Sequence, residues 1–163
     1  MKIKIVDNLR ENTHALSDAE ADEVAALIRK NTQDVHQGEY CPEDLERLVA
    51  FATPEKIREE MDRGYLAMLF NEEEDIIGCA LVVRRGMKLV IKTLQIKRIY
   101  SRKGYGSLLY EQCENLFRNM GMKEVEVEVP KFSSSEAFYQ SRGFVKTGNP
   151  TRKDLRFAMF KYI

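Results

Sequence analysis

The spacing of apolar and polar residues divides the chain into segments that predict strands and segments that predict helices. Alternating or short continuous apolar runs predict strands at 2–6, 65–70, 76–84, 88–99, 124–129, 144–147 and 155–162. Apolar residues at helical spacing predict helices at 17–31, from Pro42 onward, and at 53–64, 105–120 and 134–141. The polar stretch 32–40 has no such stripe and predicts a loop.

The order of these segments predicts a mixed sheet. An acidic turn at 71–75 joins two strands as a hairpin, and a turn at Gly86 leads into a third strand. A single helix, 105–120, connects strands 88–99 and 124–129, so we expect those two strands to pair in parallel. The fold class is therefore α/β (α+β), with a mostly antiparallel sheet, one parallel strand pair and flanking helices.

The composition narrows the classes of function. With 163 residues, the chain has the size of one domain, spanning 1–163. Twenty-six basic and twenty-six acidic residues cancel, so no overall field draws the protein to nucleic acid or to anionic membranes. Nucleic-acid binding stays open only as a local basic surface at Arg84, Arg85 and Lys88.

The cysteines and the N-terminal residues favour a reduced, cytoplasmic protein. Cys41, Cys79 and Cys113 are odd in number and lack metal-ligand spacing, so we expect neither a disulfide framework nor a bound metal. Residues 1–5 are too short and too charged for a signal peptide. No apolar run approaches the length that crosses a membrane.

Segment 100–107, with the sequence YSRKGYGS, combines two glycines and two cations at the start of a predicted helix. Backbone N–H groups at a helix N-terminus are unpaired and carry partial positive charge. Arg102 and Lys103 add to that charge, and the first acid of the helix is Glu111. Positive side chains at the positive end of a helix are unfavourable. An anionic ligand such as a phosphate would relieve this repulsion. A tight connection without a ligand is the alternative interpretation.

Two common phosphate-loop patterns fit this segment poorly. A Walker loop needs a lysine after its glycines, whereas Lys103 precedes Gly104. A dinucleotide fingerprint needs a third glycine where this chain has Leu109. The acids at 124–128 do fall about twenty residues later, as that fingerprint requires. Such a unit usually opens its domain, however, and this loop lies in the second half of the chain.

Three segments together resemble the GCN5-related N-acetyltransferase (GNAT) superfamily. They are LQI at 94–96, SRKGYG at 101–106 and AFYQSRGF at 137–144. That family carries an Arg/Gln-x-x-Gly-x-Gly/Ala loop for the pyrophosphate of acetyl-coenzyme A, and further on a Phe-Tyr-x-x-x-Gly-Phe signature. The spacing between the two matches here. The leading loop position is Ser101 in this chain, with Arg102 one place later.

The resemblance implies an N-acetyltransferase that moves an acetyl group from acetyl-coenzyme A to a primary amine by direct attack in a ternary complex. The backbone of Ile96, Lys97 and Arg98 would pair with the pantetheine arm and the thioester. The pyrophosphate would lie against the backbone of Arg102, Lys103, Gly104, Tyr105, Gly106 and Ser107.

Two side chains are candidates for the proton transfers. Tyr139 occupies the tyrosine position of the family, where it is expected to protonate the departing coenzyme A thiolate. Glu128, near the end of a strand that would flank the acetyl group, is the candidate base for the amine. The alternative interpretations are an aromatic packing residue for Tyr139 and a polar sheet face for Glu128. The strand 88–99 contains no acid, so a base on that strand is excluded.

The acceptor is not readable from the sequence. The two histidines, His14 and His36, lie in polar stretches and are predicted to be solvated rather than catalytic. Tyr40, Cys41 and the two helices after them fall where the family builds its acceptor pocket, although a packing role also explains them. The alternative function is a non-catalytic acyl-coenzyme A-binding sensor. A homodimer is compatible with the resemblance.

Overall fold

A computed structural model describes residues 1–10, 16–131, 133–148 and 154–163. Its strands are β1 (Lys2–Asp7), β2 (Gly64–Phe70), β3 (Ile76–Arg85), β4 (Lys88–Ile96), β5 (Glu124–Pro130), β6 (Val145–Lys146) and β7 (Arg156–Tyr162). Its α-helices are α1 (Asp18–His36), α2 (Pro42–Leu48), α3 (Pro54–Met61), α4 (Tyr105–Asn119) and α5 (Ser135–Gln140). Within the described residues, no helix has the length and apolar character needed to cross a membrane.

All the described strands form one sheet in the order β1-β2-β3-β4-β5-β7-β6. Neighbouring strands run antiparallel except β4 and β5, which are joined through α4 and pair in parallel. The predicted fold class and its single parallel pair are confirmed. This pair matters for function, because ligands of open α/β sheets gather outside the carboxyl ends of such strands.

The central strands are buried on both faces because helices cover both sides of the sheet. Along β2, Tyr65, Ala67 and Leu69 pack in the cluster that contains α4. The alternate residues Leu66 and Met68 pack in the cluster that contains α1 and α3. Since successive strand residues point to opposite faces, this alternation gives the fold two hydrophobic layers.

The N-terminal helix starts where the sequence predicts and ends later. Ser17 and Glu20 form a capping box, in which the Ser17 Oγ accepts from the Glu20 N–H and the Glu20 carboxylate accepts from the Ser17 N–H. The loop predicted at 32–40 is wrong for its first half, because α1 continues to His36. Thr32 and His36 are polar but buried, so the inward face of this last turn is polar rather than apolar. A search for an apolar stripe therefore misses it.

The strand predicted at 88–99 also ends earlier than expected. β4 stops at Ile96, and a 3₁₀ turn follows at Arg98–Tyr100. The Tyr100 N–H donates to the Lys97 carbonyl at 2.8 Å, which closes this turn. Ile99 and Tyr100 suit a strand by residue type, but the chain has to turn here to reach the glycine loop. His14 lies outside the described residues, so its predicted exposure stays a prediction.

Candidate active site

The two parallel strands pair over only part of their length. Leu89 to Ile91 of β4 lie opposite Val125 to Val127 of β5, and the pairing stops there. Both strands continue, β4 to Ile96 and β5 to Pro130. Lys92 is an extra residue in β4, since Ile91 and Thr93 lie opposite adjacent residues of β3. Such a bulge bends a strand and disrupts the ladder, and the sheet opens beyond it.

Beyond the bulge, alternate residues of β4 turn their backbone groups toward the opening. The Lys97 N–H donates to the Ile77 carbonyl of β3 at 2.8 Å. In an antiparallel pair, the residue next to a hydrogen-bonded one directs its N–H and C=O to the other side. The backbone of Ile96 therefore faces the opening, whereas the N–H of Lys97 is already used within the fold. Of the three predicted backbone partners of a ligand, Ile96 and Arg98 retain an N–H without a partner in the sheet.

The glycine loop connects this strand end to α4. Arg102 and Gly104 have φ angles of +58° and +85°, and α4 begins at Tyr105 without a side-chain cap. The first amide of α4 with a backbone acceptor is that of Leu108, which donates to the Gly104 carbonyl at 3.1 Å. The N–H groups of 105–107 are consequently left open, as expected for an anion site at a helix start.

Three cations surround these open amides. Arg102 and Lys103 are exposed on the loop, and Arg142 reaches in from the segment after α5. The Arg142 guanidinium lies 3.6 Å from the centre of the Phe138 ring and donates to the Phe138 carbonyl and to the Ser107 Oγ. None of the three has a carboxylate partner among the residues described. No sequence pattern considered above assigns a role to Arg142, although it directly precedes Gly143 of the signature.

A groove of about 630 Å³ runs along these groups. Its lining comes from the end of β4, the glycine loop and α5: Ile96, Arg98, Arg102, Gly104, Gly106, Ser107, Ser134, Phe138, Tyr139 and Arg142. The structure thus gathers most of the residues predicted to hold the donor. The volume is within the range of about 300–1,000 Å³ that is usual for small-molecule sites.

Tyr139 lies at the inner end of this groove. Its side chain is only 4% exposed and packs edge-to-face on Phe138 and Phe144, at 5.1 and 5.4 Å between ring centres. Burial raises the pKa of its hydroxyl above the ordinary value, so the phenol is protonated at neutral pH. Tyr139 also lines a second cavity. The two spaces share a wall that contains Tyr139 together with Val35, Leu94, Ile96, Ser134 and Ser135.

The second cavity is smaller, about 180 Å³, and about half of its lining is polar; we call it the polar cavity. Asn31 and Thr32 of α1 contact Gln95 of β4 in its wall, and Thr93 of β4 lies beside them. The Gln95 amide links them, since its oxygen accepts from Asn31 at 3.0 Å and its nitrogen donates to Thr32 and Thr93 at 3.0 and 3.1 Å. These satisfied amides and hydroxyls make a fixed wall rather than a flexible one.

Glu128 and His36 both line the second cavity. The Glu128 carboxylate lies 3.1 Å from the Lys92 Nζ. His36, predicted to be solvated, is only 4% exposed, and its Nδ1 lies 3.0 Å from a Glu39 carboxylate oxygen. That prediction is wrong because α1 extends far enough to bring His36 inside. The Tyr40 hydroxyl does not line the cavity wall but donates to the Lys131 carbonyl.

The sequence pattern of a known family decides the class of the protein. The family described as Acetyltransferase (GNAT) domain matches residues 36–161. The chain belongs to the GNAT acetyltransferase family. Its enzyme class is accordingly that of the acyltransferases, and the stretch that matches includes the glycine loop, Glu128 and Tyr139. A comparison with curated proteins finds no significant match.

Solved structures share the fold at low sequence identity. The PaiA N-acetyltransferase of Thermoplasma acidophilum, crystallised with coenzyme A, is 21% identical over 100% of both chains, with a TM-score of 0.77. A GNAT-family acetyltransferase of Staphylococcus aureus Mu50 is 15% identical over 99% of both chains, with a TM-score of 0.71. An aminoglycoside 6'-acetyltransferase type Ii is 15% identical over 99% of this chain and 97% of its own, with a TM-score of 0.70. At these identities the likeness shows the fold alone.

Proposed function

We propose that this GNAT protein transfers an acetyl group from acetyl-coenzyme A directly to a primary amine, with both substrates bound at once. The observation that carries the proposal is the position of Tyr139, where the loop-lined groove meets the polar cavity. A donor in the groove and an acceptor in the cavity would meet at its hydroxyl. Holding both reactants there converts a bimolecular reaction into a local one.

The donor would bind along the groove with its charged end at the loop. The open amides of 105–107 would receive the pyrophosphate, and Arg102, Lys103 and Arg142 would add charge to it. The pantetheine arm would lie along the free edge of β4. There the backbone of Ile96 would pair with it as an added strand does. PaiA, crystallised with coenzyme A, supports a coenzyme A ligand for this fold.

The chemistry needs two proton transfers. The acceptor arrives as an ammonium, and Glu128 would take the first proton so that the amine nitrogen can attack the thioester carbon. As the carbon–sulfur bond breaks, Tyr139 would give its proton to the coenzyme A sulfur. A phenol has an ordinary pKa of about 10 and a thiol about 8.5, so delivery depends on a hydrogen bond formed as the sulfur becomes charged. The second amine proton leaves as the amide forms and restores the tyrosine.

A thiol-release assay with acetyl-coenzyme A and pooled primary amines tests the proposal. We expect free coenzyme A to appear only when an acceptor is present, together with a product whose mass is greater by one acetyl group. Donor binding without turnover across a broad panel of amines would instead indicate a non-catalytic sensor.

Glu128→Gln is expected to lower the kcat/KM for the acceptor by about a hundred-fold, because the amide cannot accept the ammonium proton. Donor affinity, measured by calorimetry, should not change. Glu126→Gln is the matched control, since Glu126 lies two residues earlier on the same strand face and pairs with Lys88 at 2.7 Å. Equal activity of the two variants would remove Glu128 from the mechanism. His36→Gln then shows whether the other proton acceptor in the cavity wall is the base.

A further inference from the structure

Two basic side chains in the wall of the polar cavity have a carboxylate within ion-pair distance, and a third does not. Lys92 pairs with Glu128 at 3.1 Å, and His36 faces Glu39 at 3.0 Å. Arg156, at the start of β7, also lines the cavity, but it has no carboxylate within ion-pair distance among the residues described. A charged group that is withdrawn from water without a partner is costly. Arg156 is therefore the basic residue of the wall that lacks a carboxylate partner among the described residues.

The position of Arg156 is fixed by the fold. In the sheet it lies opposite Pro130, the last residue of β5. Its guanidinium donates to the carbonyl of Leu48 at the end of α2 and lies 5.4 Å from the centre of the Phe51 ring. These contacts use one of its five N–H donors and one face of the guanidinium plane. No acceptor for the remaining donors lies among the described residues, so they are available to a group in the cavity.

The charge of Arg156 is only partly compensated by its surroundings. Arg156 is half-buried, and burial lowers the pKa of its guanidinium from the ordinary value, although the Glu128 carboxylate acts in the opposite direction. Lys92 approaches the same Phe51 ring, at 5.0 Å from its centre. Lys92 and Arg156 therefore place two positive charges on this part of the wall, against the single negative charge of Glu128. Such a wall disfavours an acceptor with several ammonium groups.

The structure assigns to Arg156 the recognition of a carboxylate on the acceptor, so that the acceptor is a compact amino acid-type molecule rather than a polyamine. This inference rests on the proposed acetyl transfer. The amine would lie toward Tyr139 and Glu128, and the carboxylate toward the Arg156 fork, which fits a carboxylate with two parallel hydrogen bonds. The cavity volume of about 180 Å³ lies below the usual range for drug-sized ligands, which agrees with a compact acceptor.

Matched acceptors test the inference. A panel of amino acids is assayed by thiol release beside the corresponding decarboxylated amines and carboxamides, for example L-lysine beside cadaverine and L-alanine beside ethylamine, with spermidine as the polyamine. We expect the carboxylate form to have a kcat/KM at least about ten-fold higher than its decarboxylated partner, as a charge-assisted hydrogen bond provides. Equal rates, or a preference for the carboxylate-free amines or spermidine, would overturn the assignment while leaving acetyl transfer intact.

The variant Arg156→Gln should remove the preference by lowering kcat/KM for the carboxylate form and leaving that for the decarboxylated amine unchanged. Arg156→Lys keeps the positive charge but loses the two parallel N–H donors of the guanidinium, so it should retain only part of the preference for the carboxylate form. Arg58→Gln, at an exposed arginine that pairs with Asp18 on the surface, is the control. Thermal unfolding and calorimetry with coenzyme A show whether each variant is folded. An Arg156→Gln protein that is folded and retains the preference would contradict the inference.

A binding measurement keeps this test independent of turnover. Wild type saturated with coenzyme A is titrated with the amino acids and with their decarboxylated partners. Binding of the carboxylate forms that is weakened in Arg156→Gln supports the inference even where the thiol-release assay is negative, and such a negative assay counts against acetyl transfer alone. Absence of any binding difference between the paired compounds overturns the inference by itself.

Discussion

Replacing Gly104 with glutamate is expected to weaken coenzyme A binding by about a hundred-fold or more, the largest effect that we predict on donor affinity. The glutamate would place a carboxylate beside the open amides of 105–107, where the pyrophosphate is proposed to lie. No atom of the residues that the structure describes lies within 4 Å of the position of a new Cβ at Gly104, so the effect would come from charge and from the occupied site rather than from a clash with the protein. Isothermal titration calorimetry measures the change.

Gly121→Glu provides a matched control at the other end of the same helix. Gly121 has a φ of +66° and also has no atom within 4 Å of a new Cβ. Each substitution forces a side chain into the left-handed region, which costs about 1–2 kcal/mol. The two variants share this strain and the added charge, and they differ in their distance from the proposed pyrophosphate site. Coenzyme A affinity that is unchanged in Gly104→Glu, or reduced equally in both, would contradict the loop assignment.

Tyr139→Phe is expected to lower kcat by about a hundred-fold or more and to leave coenzyme A affinity nearly unchanged. The substitution removes only the hydroxyl, and the ring contacts with Phe138 and Phe144 would remain. Without the phenol, the thiolate would leave unprotonated or take its proton from water. Steady-state rates together with donor calorimetry separate the two effects.

Tyr110→Phe is the control for this experiment. Tyr110 belongs to the same aromatic cluster, with its ring centre 6.3 and 6.1 Å from those of Phe138 and Phe144. Its hydroxyl lies 3.3 Å from Glu114 and 3.3 Å from Lys161. A loss of the Tyr110 hydroxyl should therefore affect stability rather than turnover. If Tyr139→Phe retains full kcat, the proton-donor role is wrong.

The fold could be predicted because its signals are local. The alternation in 124–129 reappears as β5, with Val125, Val127 and Val129 buried and the glutamates between them half-buried. The helix from Tyr105 begins at its predicted residue and ends within one residue of it, since Gly121 stops it with a positive φ. Such patterns depend only on residues that are close together in the sequence, so they can be recognised without the structure.

The polar cavity could not be predicted because its residues come from distant segments and break the apolar pattern. His36, Lys92, Glu128 and Arg156 lie on four different elements. Polar residues on the inward face of a helix give the same pattern as a loop, which is why the sequence predicts a loop for the last turn of α1. The missing partner of Arg156 is likewise a property of three-dimensional packing, and no spacing in the sequence indicates it.

The sequence also does not show which backbone groups of the strand end are free to bind a ligand. The resemblance to the family implied three adjacent residues along the donor, Ile96, Lys97 and Arg98. The Lys97 N–H is already used by the Ile77 carbonyl, so the open strand amide beside it is that of Ile96; the pairing of these residues with a donor stays a prediction. Family motifs give the position of such a contact along the chain, whereas the ladder determines which backbone groups are free.

A crystal structure of the protein with coenzyme A bound tests the central claim most directly. We expect the pyrophosphate to lie against the amides of 102–107, the pantetheine arm to pair with the backbone of Ile96, and the sulfur to lie within hydrogen-bond reach of the Tyr139 hydroxyl. A pyrophosphate bound away from the loop, or a sulfur that Tyr139 cannot reach, would contradict the account.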